Sequence, residues 1–307
     1  MFEEMPADML ISSPAVEPQL STLAPAQQAW SDQLALRAAT PLSAEPRPFL
    51  RWAGSKQRLL AQLVPHIPTF TGRFIEPFLG AGAMFFLLDT PNAILSDKIE
   101  PLVSTYDVVA RRPEELLSHL ENMNVLDKDF YYRIRKQTPT DEVEAAARFI
   151  YLNRAGWNGL YRVNAKGKFN VPYGRPRSGT IIDRANLLKC STLLSGASLA
   201  VSDFEATARQ AGPGDLVYFD PPYVTGHNNN GFVDYNEDLF AWRDQERLAG
   251  VARELRDSGV HVMVSNADHS AIRELYSTFN YAQVSRRSAL ASSVTKRTTV
   301  TEAVFYS

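Results

Sequence analysis

The chain has 307 residues, 45% of them apolar and 21% charged, with a formal net charge of -2. That length and balance exclude a fibrous or mostly disordered protein and suit one large α/β domain with a smaller companion. A single cysteine, Cys190, excludes an internal disulfide, and no apolar run approaches the roughly 18 residues that would span a membrane. Glu3, Glu4 and Asp8, with no basic residue before Arg37, argue against a signal or transit peptide, so a cytoplasmic location is expected.

Residues 1–46 mix Pro, Ala, Ser and Gln with scattered Leu and read as a flexible extension with a short helix over 25–38. The stretch Phe49-Leu50-Arg51-Trp52-Ala53-Gly54-Ser55-Lys56 then leads into a helix over 57–66 with Leu59, Leu60, Leu63 and Val64 on its apolar face. Gly54-Ser55 supplies a tight turn with an N-cap whose free N–H groups favour an anion. Trp52 and Lys56 beside it read either as core and surface residues or as a pair that holds a carboxylate and covers an apolar arm.

A strand over 73–78 runs into Leu79-Gly80-Ala81-Gly82-Ala83 and a helix over 84–88. Glycines at a strand-to-helix turn let the backbone approach a nucleotide-like ligand, although Gly80 and Gly82 lack the third glycine of the dinucleotide fingerprint. The next strand, over 93–96, ends in Asp97, placed either to hold ribose hydroxyls or to cap a helix. Helical patterns over 102–110, 113–123, 129–136 and 142–153 follow with no strand between them, which exceeds a normal crossover and predicts an inserted helical subdomain.

The net charge hides a local asymmetry: residues 148–189 carry Arg148, Arg154, Arg162, Lys166, Lys168, Arg175, Arg177, Arg184 and Lys189 against one acid, Asp183. Interleaved Asn, Gly and aromatic residues favour a polyanion-binding face over a merely solvated one. Within it, strand-like segments 160–163 and 168–171 flank a turn at Asn164-Ala165-Lys166-Gly167. Such a ribbon is either a surface hairpin or one narrow enough for a DNA major groove, where Arg reads guanine and Asn adenine.

Strand patterns resume over 198–202, followed by Asp203-Phe204 opening a helix. The apolar run Val217-Tyr218-Phe219 then meets Asp220-Pro221-Pro222-Tyr223. Two prolines forbid further strand pairing and immediate helix entry, so the chain must turn at the carboxyl edge of the sheet, where open α/β sheets bind ligands. An acceptor in Asp220, a second in the Pro221 carbonyl and the flat Tyr223 ring together suit a planar group carrying an NH2. Residues 226–231 read as a mobile lid, 239–258 as a long amphipathic helix and 260–265 as a buried strand; Asn266-Ala267-Asp268 should cap a helix through Tyr276. Strands over 281–287 and 298–306 flank a loop with Arg286, Arg287, Lys296 and Arg297, placed for phosphates or for solubility.

In this order, the segments 49–56, 74–82, 153–174, Asp203-Phe204 and Asp220 to Tyr223 make the chain resemble the Dam-type (class alpha) DNA adenine-N6 methyltransferases, over about residues 49–305. The resemblance implies a Rossmann-like α/β sheet for an S-adenosylmethionine-dependent methyltransferase, with an inserted, mainly helical target-recognition domain bearing a β-hairpin. The implied division is an extension over 1–46, a cofactor-binding part over 47–110, target recognition over 111–189 and an active-site part over 190–307. It implies Asp220, Pro221, Pro222 and Tyr223 as catalytic. Trp52, Lys56, Glu76, Phe78, Gly80 and Gly82 would surround the methionine part of S-adenosylmethionine, Asp97 the ribose, and Asp203 with Phe204 the adenine ring. On the DNA side it implies Trp157 filling the base stack, with Asn158, Leu160, Arg162, Lys168, Asn170 and Pro172 along the duplex. Ser55 stands where the family usually has Gly, and Glu100 where an Asn often follows the ribose-binding Asp.

By the same resemblance the partner is double-stranded DNA with a flipped adenine, GATC is the first guess for the target, no metal or membrane takes part, a monomer is expected, and a cognate restriction endonuclease would be connected only through a shared target. Three alternatives stay open at this level: a cytosine-N4 or RNA base amino-methyltransferase of the same fold, a nicotinamide oxidoreductase using Gly80, Gly82 and Asp97, and a DNA-binding protein without catalysis.

Overall fold

A computed structural model describes residues 25–39, 46–223, 240–287 and 299–307. The expected lid over 226–231, most of the N-terminal extension, and Lys296 with Arg297 lie outside the described residues, as do the side chains of Arg286 and Arg287.

Seven strands form one sheet in the order β3-β2-β1-β4-β5-β7-β6. They are β1 (Phe74–Glu76), β2 (Ala93–Asp97), β3 (Ser198–Val201), β4 (Leu216–Phe219), β5 (His261–Ala267), β6 (Asn280–Arg287) and β7 (Thr299–Tyr306). The first five are parallel; β7 runs antiparallel to both β5 and β6. Because side chains alternate across a strand, the inner strands β1, β2, β4, β5 and β7 feed two cores. Leu216 and Tyr218 of β4 join Leu95, Met263 and Val304 on one face, while Val217 and Phe219 join Ile75, Val262, Val264 and Phe305 on the other.

The first face is covered by α1 (Pro25–Ala39), α2 (Leu60–Leu63), α3 (Ala83–Leu88), α4 (Glu100–Arg111), α5 (Pro113–Glu121), α6 (Lys128–Lys136), α7 (Glu142–Ala155) and α8 (Arg184–Leu194). The second is covered by α9 (Phe204–Ala208), α10 (Trp242–Asp257) and α11 (Ser270–Leu275). Helices α5 to α8 lie between α4 and β3 in the chain, and their Leu116, Tyr151 and Leu187 belong to the same apolar cluster as Leu95 of the sheet. Asp127 and Asp141 start α6 and α7 by accepting from two backbone N–H groups each.

Several local expectations are corrected. The helix expected over 57–66 is a short α-helical turn between two 3-10 turns, Lys56–Arg58 and Val64–His66, since Pro65 offers no N–H to continue the ladder. Its apolar face is nevertheless buried as patterned. Ser55 occupies the N-cap position without a side-chain bond. Helix α8 was not anticipated, although Asp183 caps it by accepting from the Asn186 N–H at 3.1 Å. Strand β5 continues through Ala267, so α11 is capped by His269, whose Nδ1 accepts from the Ala271 N–H at 3.2 Å. The expected two-stranded ribbon is reduced to single bridges, Val163 with Phe169 and Gly156 with Tyr173. Its turn is present: the Asn164 N–H donates to the Lys168 carbonyl at 2.9 Å and Gly167 has φ of 70°. No helix among the described residues is long and apolar enough to cross a membrane.

Candidate active site

The parallel strands bring acids to one edge. Going along the sheet from β3 to β4, the carboxyl ends present Asp203, Asp97, Glu76 and Asp220 in that order. Strand order, not strand direction, reverses between the parallel neighbours β1 and β4, the switch point where open α/β sheets bind ligands, and Glu76 and Asp220 flank it.

Asp220 meets the Lys56 ammonium at 2.6 Å through Oδ1 and 2.8 Å through Oδ2. Lys56 is buried, donates to the Gly54 carbonyl at 2.8 Å, and lies 3.7 Å from Oε2 of Glu302. Its Nζ stands 4.8 Å from the centre of the Tyr223 ring, whose hydroxyl donates to Glu302 at 2.7 Å. Segments far apart in sequence thus meet around one ammonium. The backbone between Asp220 and Tyr223 is held from behind: Gln245 donates to the Pro222 carbonyl at 3.2 Å and accepts from buried Asn266 at 2.8 Å.

Glu76 is 2% exposed, and its Oε2 has no hydrogen-bond partner among the described residues. Burial, followed by repulsion from Asp220, pushes its carboxyl well above the usual carboxylate range. Asp97 accepts from the N–H groups of Gly80 and Ile99 at 3.1 Å each, and burial raises its carboxyl despite those bonds. Gly80 itself has φ of 45°, and a Cβ there would come 2.9 Å from the Trp52 ring, so the glycine turn and the tryptophan are in close approach. Trp52 also stacks on Phe149 and Tyr161, at 6.3 and 6.0 Å between ring centres.

Asp203 caps α9 and is gripped by both terminal nitrogens of Arg247, at 2.9 and 3.0 Å, and by Lys98 at 2.9 Å. Burial works against these cations, which nonetheless hold its carboxyl below the usual range. Phe204 is buried, stacks on Phe78 at 5.4 Å and carries the Arg247 guanidinium 4.2 Å from its ring centre.

The hairpin segment stands on α6 and α7. Tyr131 and Arg135 both donate to the Val171 carbonyl, at 2.9 and 3.0 Å, and the Trp157 N–H donates to the Pro172 carbonyl at 2.9 Å. Trp157 is 52% exposed, and Asn158 next to it has φ of 53°. Arg162 Nε donates to Asn170 Oδ1 at 2.7 Å; Leu160 and Asn170 are half-buried, while Lys168 and Pro172 are exposed. At the hairpin base a cleft of about 310 Å³ is lined by Arg51, Arg154, Arg175 and Arg177, with no acid among its lining residues. Burial, then the neighbouring Arg51 charge, lowers the Arg154 pKa, and its Nε lacks a partner among the described residues.

Sequence reasoning missed Glu302, Gln245, Asn266, Asn153 and the cleft arginine Arg51. A signal existed for Glu302, an acid inside the apolar run of a strand, and for Asn266 at the end of another. Gln245 on an amphipathic helix carried none.

Residues 52–290 match the family described as D12 class N6 adenine-specific DNA methyltransferase. The chain is 35% identical over 267 residues to a Type II methyltransferase of Lactococcus lactis subsp. cremoris, covering 84% of this chain and 94% of the relative. It is 37% identical over 263 residues to a Type II methyltransferase of Methanocaldococcus jannaschii, with 78% and 91% covered. It is 32% identical over 261 residues to the DNA adenine methylase of Escherichia coli, with 83% and 93% covered.

Proposed function

The chain belongs to the D12 class of N6 adenine-specific DNA methyltransferases, and on that premise we propose that S-adenosylmethionine is its methyl donor and that Asp220, Pro221, Pro222 and Tyr223 receive the adenine. The family's reaction sets aside the cytosine, RNA, oxidoreductase and non-catalytic alternatives.

The buried Glu76 oxygen without a partner fits a ligand carrying positive charge, and S-adenosylmethionine carries an ammonium and a sulfonium. Trp52, Lys56, Glu76, Phe78, Gly80 and Gly82 would hold its methionine part, Asp97 its ribose, and Asp203 with Phe204 its adenine ring. When bound, it supplies a methyl group on a positively charged sulfur. Asp220 and the Pro221 carbonyl accept hydrogen bonds from the target N6, which favours a pyramidal nitrogen with a localised lone pair. Positive charge that develops on that nitrogen then lies against the Asp220 carboxylate. A base inside a duplex cannot reach this position, so the adenine must leave the stack, and the Tyr223 ring replaces part of its stacking.

On the DNA, Trp157 is proposed to fill the vacated stack. Asn158, Leu160, Arg162, Lys168, Asn170 and Pro172 are proposed to read or follow the duplex, and the arginine cleft to take a backbone phosphate. GATC is the proposed target, on the resemblance to Dam-type enzymes, and sequencing of modified sites decides it.

The observation that carries this reading is the convergence of Asp220, Lys56 and Tyr223 beside the partnerless Glu76 oxygen at the sheet's switch point. Incubation with methyl-labelled S-adenosylmethionine and adenine-methylation-free duplex DNA should place label in N6-methyladenosine. Asp220→Ala should abolish transfer while cofactor binding and melting temperature stay near wild type. Near-native turnover of that variant would overturn the assignment.

A further inference from the structure

Strand β7 is antiparallel to β5, with Glu302 registered opposite Ala267, the last residue of β5. That reversal carries a residue near the start of β7 to the edge where the parallel strands finish. Glu302 is 2% exposed, and the next three residues, Ala303, Val304 and Phe305, are buried apolar side chains. An apolar residue would serve the sheet at least as well, because a buried carboxylate loses its hydration and recovers the cost only through well-placed partners. Two of its partners belong to the site: the Tyr223 hydroxyl at 2.7 Å and the Lys56 ammonium at 3.7 Å.

We propose that Glu302 is a positioning residue for methyl transfer, fixing the plane of the Tyr223 ring and receiving Lys56 when Asp220 turns to the adenine amino group. The inference rests on the roles proposed above for Asp220 and Tyr223. Lys56 engages both oxygens of Asp220, at 2.6 and 2.8 Å, so an arriving N6 must take one of them from it. A displacement of about 1 Å brings Lys56 into hydrogen-bonding range of Glu302, so the ammonium stays paired throughout. The Tyr223 hydroxyl remains the donor to Glu302, because desolvation and the Asp220 and Glu302 charges hold its pKa well above the ordinary range. A tyrosine tethered at its far end presents one ring plane, and stacking on a flipped base depends on that plane.

The test compares wild type, Tyr223→Phe, Glu302→Gln and the double variant, each with S-adenosylmethionine and duplex DNA carrying 2-aminopurine at the target adenine or adenine itself. Tyr223→Phe keeps the ring and removes the tether; Glu302→Gln keeps an acceptor and removes the charge. Each should slow single-turnover transfer about tenfold, with cofactor affinity within about twofold of wild type and the flipped-base fluorescence altered. The double variant should be slower than either single one, since one substitution cuts the tether and the other removes the charge that receives Lys56. Single variants that turn over like wild type, or a double variant no slower than the slower single one, overturn the proposal. So does a rate loss that tracks a lowered melting temperature without a change in the fluorescence signal. If Glu302→Gln fails to fold, the Tyr223→Phe rate decides alone. A wild-type protein that places no label on adenine N6, or an active Asp220→Ala, would instead sink the underlying reading.

Discussion

A carboxyl group 2% exposed with one oxygen lacking a partner, as at Glu76, resists ionisation, and burial with the Asp220 charge raises its pKa well above the ordinary range. Its linkage to folding follows in sign. With the native pKa above the unfolded one, the folded state is favoured at low pH, and that advantage is lost as pH rises through the native value. Glu76→Gln removes the titration and keeps the shape. The cofactor-free variant should therefore melt close to wild type near pH 4 and progressively above it as pH increases, while its affinity for S-adenosylmethionine falls. A melting difference that is the same at every pH would show that Glu76 does not titrate in this range. The residue and its motif were legible in the sequence, since Phe74-Ile75-Glu76-Pro77-Phe78 marks the end of a strand. Its missing partner was not, because that depends on what surrounds the oxygen in space.

At the scale of elements, the segment carrying Trp52 and Lys56 is tied to the hairpin by Asn153 on α7. Its Nδ2 donates to the carbonyls of Arg51 and Gly159, at 2.6 and 3.1 Å, and its Oδ1 accepts from the Arg51 N–H at 2.9 Å. Gly159 completes the joint: its φ is 65°, and a Cβ would lie 2.4 Å from Arg51 Cβ. Asn153→Ala leaves these buried groups unsatisfied and should cost about 2–3 kcal/mol in urea denaturation. DNA affinity should fall more than cofactor affinity, because Arg51 and the hairpin lose their common anchor. Equal losses for both ligands would mean that the joint supports the whole site rather than the hairpin. The helix ending at Asn153 was expected from periodicity, and the hairpin from its turn residues. Their junction was hidden, since a buried Asn at the end of an apolar helix resembles any helix terminus.

Across the whole molecule, the -2 net charge conceals how the basic residues are used. Of the cations in 148–189, Arg148 gives its guanidinium to the carbonyls of Ile134 and Arg135, and Arg184 pairs with Glu114 and Glu121. Those two brace the helices instead of forming the expected polyanion face. The cleft arginines Arg175 and Arg177 and hairpin residue Arg162 differ: no carboxylate is paired with any of them among the described residues, and Arg162 instead donates to Asn170. Two kinds of loss should separate on DNA. Arg162→Ala should relax preference at one guanine by about 1–3 kcal/mol. The Arg175→Ala, Arg177→Ala double variant should weaken binding to all sequences and reduce the slope of log affinity against log salt by about 1–2. Binding titrations over a salt series on cognate and altered duplexes measure both. If Arg162→Ala lowers affinity uniformly, it contacts a phosphate instead.

The sequence by itself determined the α/β class, most helices and strands, and the Asp220-Pro221-Pro222-Tyr223 stop at the carboxyl edge. Each follows from neighbours in the chain: a period of two or 3.6 residues, a capping Asp, a proline without an N–H. Only the tertiary structure decided that Asp203, Asp97, Glu76 and Asp220 form a row, because strand order 3-2-1-4 is not chain order. It alone brought Glu302 to the site, through the reversed direction of β7, and set Gln245 and Asn266 behind the Pro222 carbonyl. It also divided the arginines into those spent on the fold and those facing the cleft. Local patterns determine which residues are buried, whereas pairing between buried or charged groups depends on which segments the topology lays side by side.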